Sequence, residues 1–455
     1  MHALLRPTWA HRLVLALLSL GMLTGLPQAQ DAATPPPVRE RFKDVDTQVT
    51  RDLPDLETFY KHLHSHPELS LMEVQTAARL ADELKKLGFT VTTRVGGTGV
   101  VGVLENGKGP TVLVRTDMDA LPVTEQTGAP YASKVRTRDR QGREVGVMHA
   151  CGHDIHMTCW LGTARVLVAL KEKWKGTLVF IGQPAEEIGV GARAMLEAGL
   201  FTRFPKPDYC LALHCDSQTP HGTVSFSEGL ALANVDTVDI TVKGKGGHGA
   251  APHTTVDPIV LAARIVLDLQ TLVSRETNPT DPAVVTVGSI HGGTKHNIIP
   301  DEVKLQLTVR STKDSVRHHR LTGIKRIAEG CAKAANAPVP TVKVDESEFT
   351  PALYNNPALT KKTVALFRDV LGEKNVRERP PILGGEDFSR YGRAGVPVFL
   401  YFLGTIAPEK VEAAQKEGAA PLPSLHSDQF APVPIPSIRT GVKTMSLAAL
   451  NLLGR

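Results

Sequence analysis

The chain has 455 residues, of which 22% are charged and 42% hydrophobic, and its formal net charge at pH 7 is +5. This length and composition indicate a globular protein with room for two or three domains of roughly 150 residues each. The small net charge and the lack of any Lys/Arg block exclude nucleic acid as an expected partner, because nucleic-acid-binding domains concentrate basic residues on one face.

The N-terminal segment differs in composition from the rest of the chain. Arg6 and Arg12 precede the apolar run 13–26, and small and polar residues follow this run. This pattern predicts a cleaved export signal at 1–30, hence a periplasmic or secreted protein. The run is shorter than the about 20 residues that cross a membrane, so no membrane association is expected after cleavage. The Pro-rich, polar residues 31–45 are predicted to form a tether.

The five cysteines are an odd number, so at least one is expected to stay free or bind a metal in an oxidising compartment. Cys151 is the candidate ligand. Cys159 and Cys210 lie in apolar runs, which is typical of small buried side chains.

Beyond two predicted helices, at 53–64 and 72–87, four short apolar runs each end in polar or glycine residues. The residues that follow or end the first three runs are Asp117 and Asp119, Glu186 and Glu187, and His214. Such β-branched and leucine-rich runs, alternating with helices, predict an α/β domain with a mainly parallel sheet and helices on both faces. Ligands bind beyond the carboxyl ends of such strands, so these residues are expected to converge.

The pattern changes near residue 229, where alternating strands replace the buried runs. Residues 302–310 alternate apolar and polar side chains, as expected of a sheet with one face in solvent. The order strand–helix–strand–strand–helix–strand is that of a ferredoxin-like α+β domain. We therefore predict an inserted domain at 229–345 between two parts of the catalytic domain, at 46–228 and 346–455.

Thiol and imidazole groups are concentrated in the segment 148–156, where a loop turns into a predicted helix. These are ligands that zinc selects, and imidazole also serves manganese, cobalt and iron. The candidate metal ligands of the whole chain are Cys151, His153, Glu187, His214 and His426. Five ligands exceed the four or so of one tetrahedral zinc, so two divalent ions that share a water are predicted.

The adjacent Glu186 and Glu187 can divide the work, with one as metal ligand and the other as the general base that takes a proton from the water. Such a base needs a raised carboxylate pKa, which a closed apolar site provides. The alternative is that two glutamates opening a helix only interact favourably with its dipole. Asp117, Asp119 and Asp154 are predicted to orient the imidazole ligands.

A Gly-rich turn at 243–253 in the predicted inserted domain carries two histidines. It lacks the Gly-Lys-Ser/Thr ending of a phosphate-binding loop. A histidine on such a turn can donate to a developing oxyanion, which makes His248 a candidate catalytic residue.

Eight motifs occur along residues 50–450: His64-Ser-His-Pro-Glu-Leu-Ser, Arg115-Thr-Asp-Met-Asp-Ala-Leu-Pro, Met148-His-Ala-Cys-Gly-His-Asp-Ile-His, Gln183-Pro-Ala-Glu-Glu, Ala212-Leu-His, Gly244-Lys-Gly-Gly-His-Gly-Ala-Ala-Pro-His, His296-Asn-Ile-Ile-Pro and Gly385-Glu-Asp-Phe. With these motifs in this order, the chain resembles the amidohydrolase branch of the aminoacylase/carboxypeptidase metallopeptidases. That branch includes hippurate hydrolases and indole-acetyl-amino-acid hydrolases.

The resemblance implies a dinuclear zinc, manganese or cobalt site formed by the five candidate ligands, with Glu186 as the general base. It implies that His248 and Asn297 of the inserted domain help bind substrate, and that this domain forms the interface of a homodimer. The implied reaction is cleavage of the amide bond of N-acyl or N-aroyl amino acids or small peptides.

Three other functions remain compatible with the sequence. One is a dipeptidase or carboxypeptidase of the same fold. Another is a binding protein that has kept the fold and lost catalysis, although the complete ligand set and Glu186 favour an enzyme. The third is a metal-independent hydrolase in which Cys151 is the nucleophile.

Overall fold

The structure, a computed structural model, describes residues 36–454, so the predicted export signal lies outside the described residues. The α-helices of that range are α1 (Pro36–Ser65), α2 (Val74–Lys86), α3 (His153–Ala169), α4 (Gly191–Glu197), α5 (Pro258–Ser274), α6 (Asp314–Ala334), α7 (Pro357–Leu371), α8 (Ser389–Arg393), α9 (Pro408–Ala414) and α10 (Pro434–Leu452). Of these described helices, none has the length and apolar character needed to cross a membrane.

The strands are β1 (Thr90–Thr93), β2 (Val100–Asn106), β3 (Thr111–Asp117), β4 (Arg136–Arg138), β5 (Glu144–Gly146), β6 (Gly176–Gln183), β7 (Tyr209–Pro220), β8 (Val224–Phe226), β9 (Gly229–Leu232), β10 (Asn234–Lys243), β11 (Gly247–His248), β12 (Ala283–Gly292), β13 (Ile298–Ile299), β14 (Glu302–Ser311), β15 (Thr341–Val344), β16 (Leu353–Asn355), β17 (Val376–Glu378) and β18 (Val398–Ile406).

An eight-stranded sheet, in the order β1-β2-β6-β3-β7-β18-β8-β17, forms the centre of the catalytic part. Its middle strands β6, β3, β7 and β18 pair in parallel. Alternate residues of these strands enter two separate cores, since Val112 and Val114 pack under α1, α3 and α10, whereas Leu113 packs under α4 and α8. Helices on both faces of a mainly parallel sheet confirm the predicted fold class.

Residues 234–344 form a four-stranded antiparallel sheet in the order β12-β14-β10-β15, with a core shared by α5 and α6. This is the ferredoxin-like arrangement expected of the insertion. The inserted domain begins at Asn234 and not at the predicted residue 229, because β9 pairs with β16 and Leu232 joins the core of the catalytic part.

Residues 36–45, which were predicted to belong to a tether at 31–45, form the beginning of α1 instead. Val45 is fully buried against the core beneath α3 and α10, and Arg41 Nη1 donates to the carbonyl oxygen of Leu450 at 3.1 Å. The prolines do not prevent this helix, because proline is compatible with a first helical turn. Burial of one face of the helix outweighs the tether-like composition.

We expect Val45→Ala to lower the free energy of unfolding by about 2 kcal/mol, because it opens a cavity in the core. Thr47→Ala, on the exposed side of the same helix, is the control and should change it by less than about 0.5 kcal/mol. Urea denaturation of both variants measures the difference. Equal stabilities would show that this segment behaves as a tether.

Candidate active site

A cavity of about 470 Å³ lies between the carboxyl edge of the central sheet and the inserted domain. The polar residues that line its sheet side are Cys151, Glu186, Glu187, His214, Glu386 and His426. Its apolar wall includes Leu232, Ile382, Leu400, Phe402 and Leu425. The inserted domain contributes Val235, Thr237, Thr308 and Arg310. Polar groups of catalytic types thus face a largely apolar chamber, as is common in small-molecule sites.

The turn before α3 brings Cys151 and His153 to the same space. Gly152 has a φ of 80°, and a Cβ at this position would lie 2.8 Å from Cys215 Sγ, so only glycine fits. The ring of His153 donates from Nδ1 to the carbonyl oxygen of Asp119 at 2.7 Å. This bond fixes the tautomer and leaves the lone pair of Nε2 available to a cation.

His214 and His426 reach the same group from distant parts of the chain. His214 was predicted to end a strand, but β7 continues to Pro220 because it pairs with β18 along its length. The Nδ1 atom of His214 donates to the carbonyl oxygen of Cys215 at 2.8 Å, which again leaves the Nε2 atom available to a cation. The amide of His426 donates to the carbonyl oxygen of Ala150 at 2.9 Å and ties the late loop to the cysteine loop.

The five predicted ligands form two overlapping groups. Cys151 Sγ lies 3.5 Å from His214 Nε2, and the Glu187 carboxylate lies 3.7 Å from His153 Nε2 and 3.4 Å from His426 Nε2. One group joins atoms of Cys151, His153 and His214, and the other joins atoms of Cys151, Glu187 and His426, each within 4.8 Å of one another. The sulfur belongs to both, so these residues fit two neighbouring cations.

The charge balance of this group also fits bound cations. Among the described residues, His153 Nε2 and Glu187 Oε1 are buried without a hydrogen-bond partner, which is costly for polar atoms. Burial lowers the pKa of His153, but the charge of Asp117, a hydrogen bond to Asp119 and the charge of Glu187 outweigh it and raise that pKa to about 10. Without a metal ion Nε2 therefore holds a proton, which a bound cation would displace. Carboxylates therefore outnumber cations here, an imbalance that divalent ions would correct.

The carboxylate of Glu186 lies between this group and two further acids. Its Oε2 is 3.9 Å from His153 Nε2. One carboxylate oxygen each of Glu186, Glu386 and Asp387 lie within 4.8 Å of one another. Burial, together with the negative charges of Glu386 and Glu187, raises the pKa of Glu186 well above its usual range. A raised pKa suits a group that accepts and returns a proton near neutral pH.

Of the three aspartates predicted to orient ligand imidazoles, Asp119 does so through its carbonyl oxygen, whereas Asp117 and Asp154 orient His156 and His64, which are not predicted ligands. Asp119 accepts hydrogen bonds from the amides of Glu186 and Glu187, at 3.1 and 3.0 Å, and so holds the glutamate turn with its side chain. Asp154 accepts from His64 of α1 at 2.6 Å. It does orient an imidazole, but His64 is not one of the predicted ligands.

Asp117 belongs to a buried ion network that the sequence did not reveal. It accepts from His156 Nδ1 and from Arg115 Nη1, both at 2.7 Å. Arg115 also donates to Glu386 at 2.7 Å and to Gln183 at 3.1 Å. Arg115 sits within an apolar strand pattern, and the only sequence signal for Glu386 was its Gly-Glu-Asp-Phe motif.

His248 and Asn297 do not line the cavity of their own chain. His248 ends β11 and Asn297 immediately precedes β13, and these two strands pair. Gly249 N donates to the carbonyl oxygen of Asn297 at 2.8 Å, and the side chains of His248 and Asn297 are both exposed. The structure therefore brings these two predicted residues together, but separately from the five ligands.

Arg310 was not recognised in the sequence as a candidate. Residues 302–310 alternate as predicted, with Val309 in the core of the inserted domain. The polar face, predicted to be solvated, turns toward the catalytic part at Thr308 and Arg310. Arg310 Nε donates to Thr308 Oγ1 at 3.0 Å. Burial lowers the pKa of its guanidinium, and the charge of the Asp236 carboxylate opposes that shift.

The environment of Cys151 is unfavourable for a catalytic nucleophile. Burial and the nearby carboxylates of Glu187 and Glu186 raise the pKa of this thiol well above its usual range. An activated cysteine needs the opposite, a lowered pKa in electropositive surroundings. Bound cations would favour the thiolate, so the sulfur suits metal binding better than attack on a substrate.

Comparisons with known proteins agree with this geometry. Residues 113–425 match the family described as Peptidase family M20/M25/M40. Thermostable carboxypeptidase 2 of Saccharolobus solfataricus is 38% identical over 80% of this chain and 90% of its own length. IAA-amino acid hydrolase ILR1-like 4 of Arabidopsis thaliana is 37% identical over 81% of this chain and 79% of its own length.

A solved structure of a dinuclear metal-binding peptidase of the M20 family from Bacillus subtilis has 29% sequence identity to this chain and a TM-score of 0.69. The similarity covers 90% of this chain and 99% of that one. The family match spans most of the chain, and the relatives align along most of their own length. The chain belongs to peptidase family M20/M25/M40 and is a metal-dependent hydrolase of amide or peptide bonds.

Proposed function

We propose that the protein is an exported amidohydrolase that cleaves the amide bond of N-acyl or N-aroyl amino acids, with small peptides as alternative substrates. The observation that carries this proposal is the convergence of five ligand-type side chains and Glu186 at one edge of a largely apolar cavity. Relatives that act on amino-acid conjugates and on peptides support the substrate class. The N-terminal sequence pattern supports export.

The proposed metal ligands are Cys151, His153, Glu187, His214 and His426. When bound, two ions of zinc, manganese or cobalt would polarise the attacking water and the amide carbonyl. A set that mixes thiolate, imidazole and carboxylate suits each of these metals. The protein supplies the orientation, because backbone carbonyl oxygens hold the Nδ1 atoms of His153 and His214.

Glu186 is the proposed general base and acid. It lies beside the ligand group, and its raised pKa allows it to take the proton of the attacking water and return it to the leaving nitrogen. Because the base must be ionised, kcat/KM should rise with pH through the pKa of this carboxyl group.

Arg310 is the proposed anchor for the carboxylate of the amino-acid product. It projects from the inserted domain into the same cavity as Glu186, and a guanidinium binds a carboxylate through two parallel hydrogen bonds. The acyl group would then occupy the apolar wall near Phe402, which leaves the scissile amide near the ligand group.

His248 and Asn297 are proposed to serve the site of a second subunit, with His248 donating to the oxyanion. The inserted domain has a surface suited to such a homodimer. Leu267 and Val260 of α5 are 70% and 58% exposed, and Ile290 lies on β12, the outermost strand of its described sheet. Exposed apolar side chains beside a free strand edge favour pairing with a second copy.

A Glu186→Gln variant tests the general base. We expect kcat to fall at least about a hundredfold while metal content is unchanged, because a positioned base contributes on that order. The matched control, Glu187→Gln, should instead reduce metal content. Mass spectrometry of the metals and steady-state kinetics separate the two effects. Parental activity in Glu186→Gln would contradict the assignment.

A substrate panel tests the reaction itself. N-acetyl, N-benzoyl and N-indolylacetyl amino acids, each assayed with Zn²⁺, Mn²⁺ and Co²⁺, should include hydrolysed substrates. Arg310→Gln should raise KM for such a carboxylate substrate about tenfold or more and affect its α-amide analogue much less, because only the carboxylate pairs with the guanidinium. Lys304→Gln, on the same strand outside the cavity, is the control. Equal effects on both substrates would exclude the anchor.

Subunit complementation tests whether His248 acts across a dimer. We expect His248→Ala and Glu186→Gln homodimers to be nearly inactive. Co-expressed at equal levels, they should regain about a quarter of parental activity, because half of the dimers would contain one intact site. If His248 serves its own chain, mixed dimers contain no intact site and show no recovery.

A further inference from the structure

Glu73 is a buried carboxylate outside the proposed catalytic machinery. It immediately precedes α2 and is 0% exposed. Its Oε1 accepts hydrogen bonds from the amides of Leu71, at 2.9 Å, and Ala185, at 2.8 Å. Its Oε2 accepts from the hydroxyl of Thr98 at 2.7 Å. The carboxylate makes no capping bond to α2, so helix initiation does not explain its burial.

The two amides that share Glu73 Oε1 belong to residues with unusual backbone conformations. Leu71 has a φ of 67° and Ala185 a φ of 50°. This left-handed region is unfavourable for a residue with a Cβ and persists only where the surroundings hold it. One carboxylate oxygen therefore holds two strained positions in distant segments of the chain.

Ala185 begins the turn that presents both functional glutamates. The amides of the next two residues, Glu186 and Glu187, donate to the two oxygens of Asp119. Three consecutive amides are thus bound by two buried carboxylates, Glu73 and Asp119. Because the backbone conformation sets the direction of each Cα–Cβ bond, these bonds constrain where both glutamate carboxylates point.

We propose that Glu73 is a positioning residue that holds Ala185 in its left-handed conformation and thereby aims Glu186 and Glu187 at the ligand group. The inference rests on the proposed function of those two glutamates. It assigns to Glu73 an effect on turnover that acts through the turn and not through contact with substrate.

Substitutions of Glu73 test whether this residue affects turnover. Glu73→Ala should lower kcat by about tenfold to a hundredfold at saturating metal, with little change in KM, which is the usual size for residues that orient ligands. Glu73→Gln should retain most activity, because its amide oxygen can still accept from Leu71 and Ala185 while its amide nitrogen donates to the Thr98 hydroxyl.

A double variant separates positioning from general stability. Gly adopts a positive φ without the steric cost of a Cβ, so Glu73→Ala with Ala185→Gly should regain part of the lost kcat. Glu73→Ala with Leu71→Gly is the matched control, which relieves the other strained residue and should not regain kcat. Ala185→Gly alone should keep near-parental activity.

Three results would overturn the proposal: an unchanged kcat in Glu73→Ala, no recovery with Ala185→Gly, or equal recovery with Leu71→Gly. If Glu73→Ala does not fold, the same pairs are built on Glu73→Asp, whose shorter side chain withdraws the oxygen from Ala185 but keeps the charge. The activity of Glu186→Gln distinguishes a failure of the proposed function from a failure of the positioning role of Glu73. If that variant is fully active, the proposed function fails, whereas an inactive Glu186→Gln with a fully active Glu73→Ala rejects only the positioning role.

Discussion

The arrangement of the buried carboxylates depends on their hydrogen bonds to the buried guanidinium of Arg115. Asp117 and Glu386 lie in distant parts of the chain, yet both bond to this one side chain, at 2.7 Å each. Buried carboxylates gathered at strand ends repel one another and lose hydration, so they persist only when cations or hydrogen-bond donors neutralise them. Arg115 does this beneath the site, and divalent ions would do so above it.

The same balance explains why the acids near the cavity differ in pKa. Asp117 lies beside His153 and receives bonds from His156 and Arg115, and these groups keep its pKa well below the usual range despite burial. Glu186 faces Glu386 and Asp387 and has a raised pKa. A single network therefore keeps one carboxyl group ionised and prepares another to exchange a proton, a division of roles that proton-transfer catalysis requires.

Positive φ values occur beside several of the functional side chains. Gly152, Ala185 and His426 all have positive φ values, and each lies in or next to a proposed ligand or base. Irregular backbone lets neighbouring residues point at one spot, which a helix or strand would prevent. Buried hydrogen-bond partners, such as Glu73 for Ala185, stabilise the unfavourable backbone conformations. The regular sheet and its buried carboxylates thereby support the irregular turns that carry the functional side chains.

The amino-acid sequence by itself determined the elements and the chemical groups of the site. Apolar runs ending in acids and histidine predicted a parallel sheet with converging strand ends, and the alternation over 302–310 predicted the inserted sheet, because burial patterns are local properties of each element. Only the tertiary structure decided which distant faces meet. It paired Asp154 with His64, turned Arg310 into the cavity, left His248 outside it and folded residues 36–45 into α1, since those outcomes depend on packing between segments that no local pattern encodes.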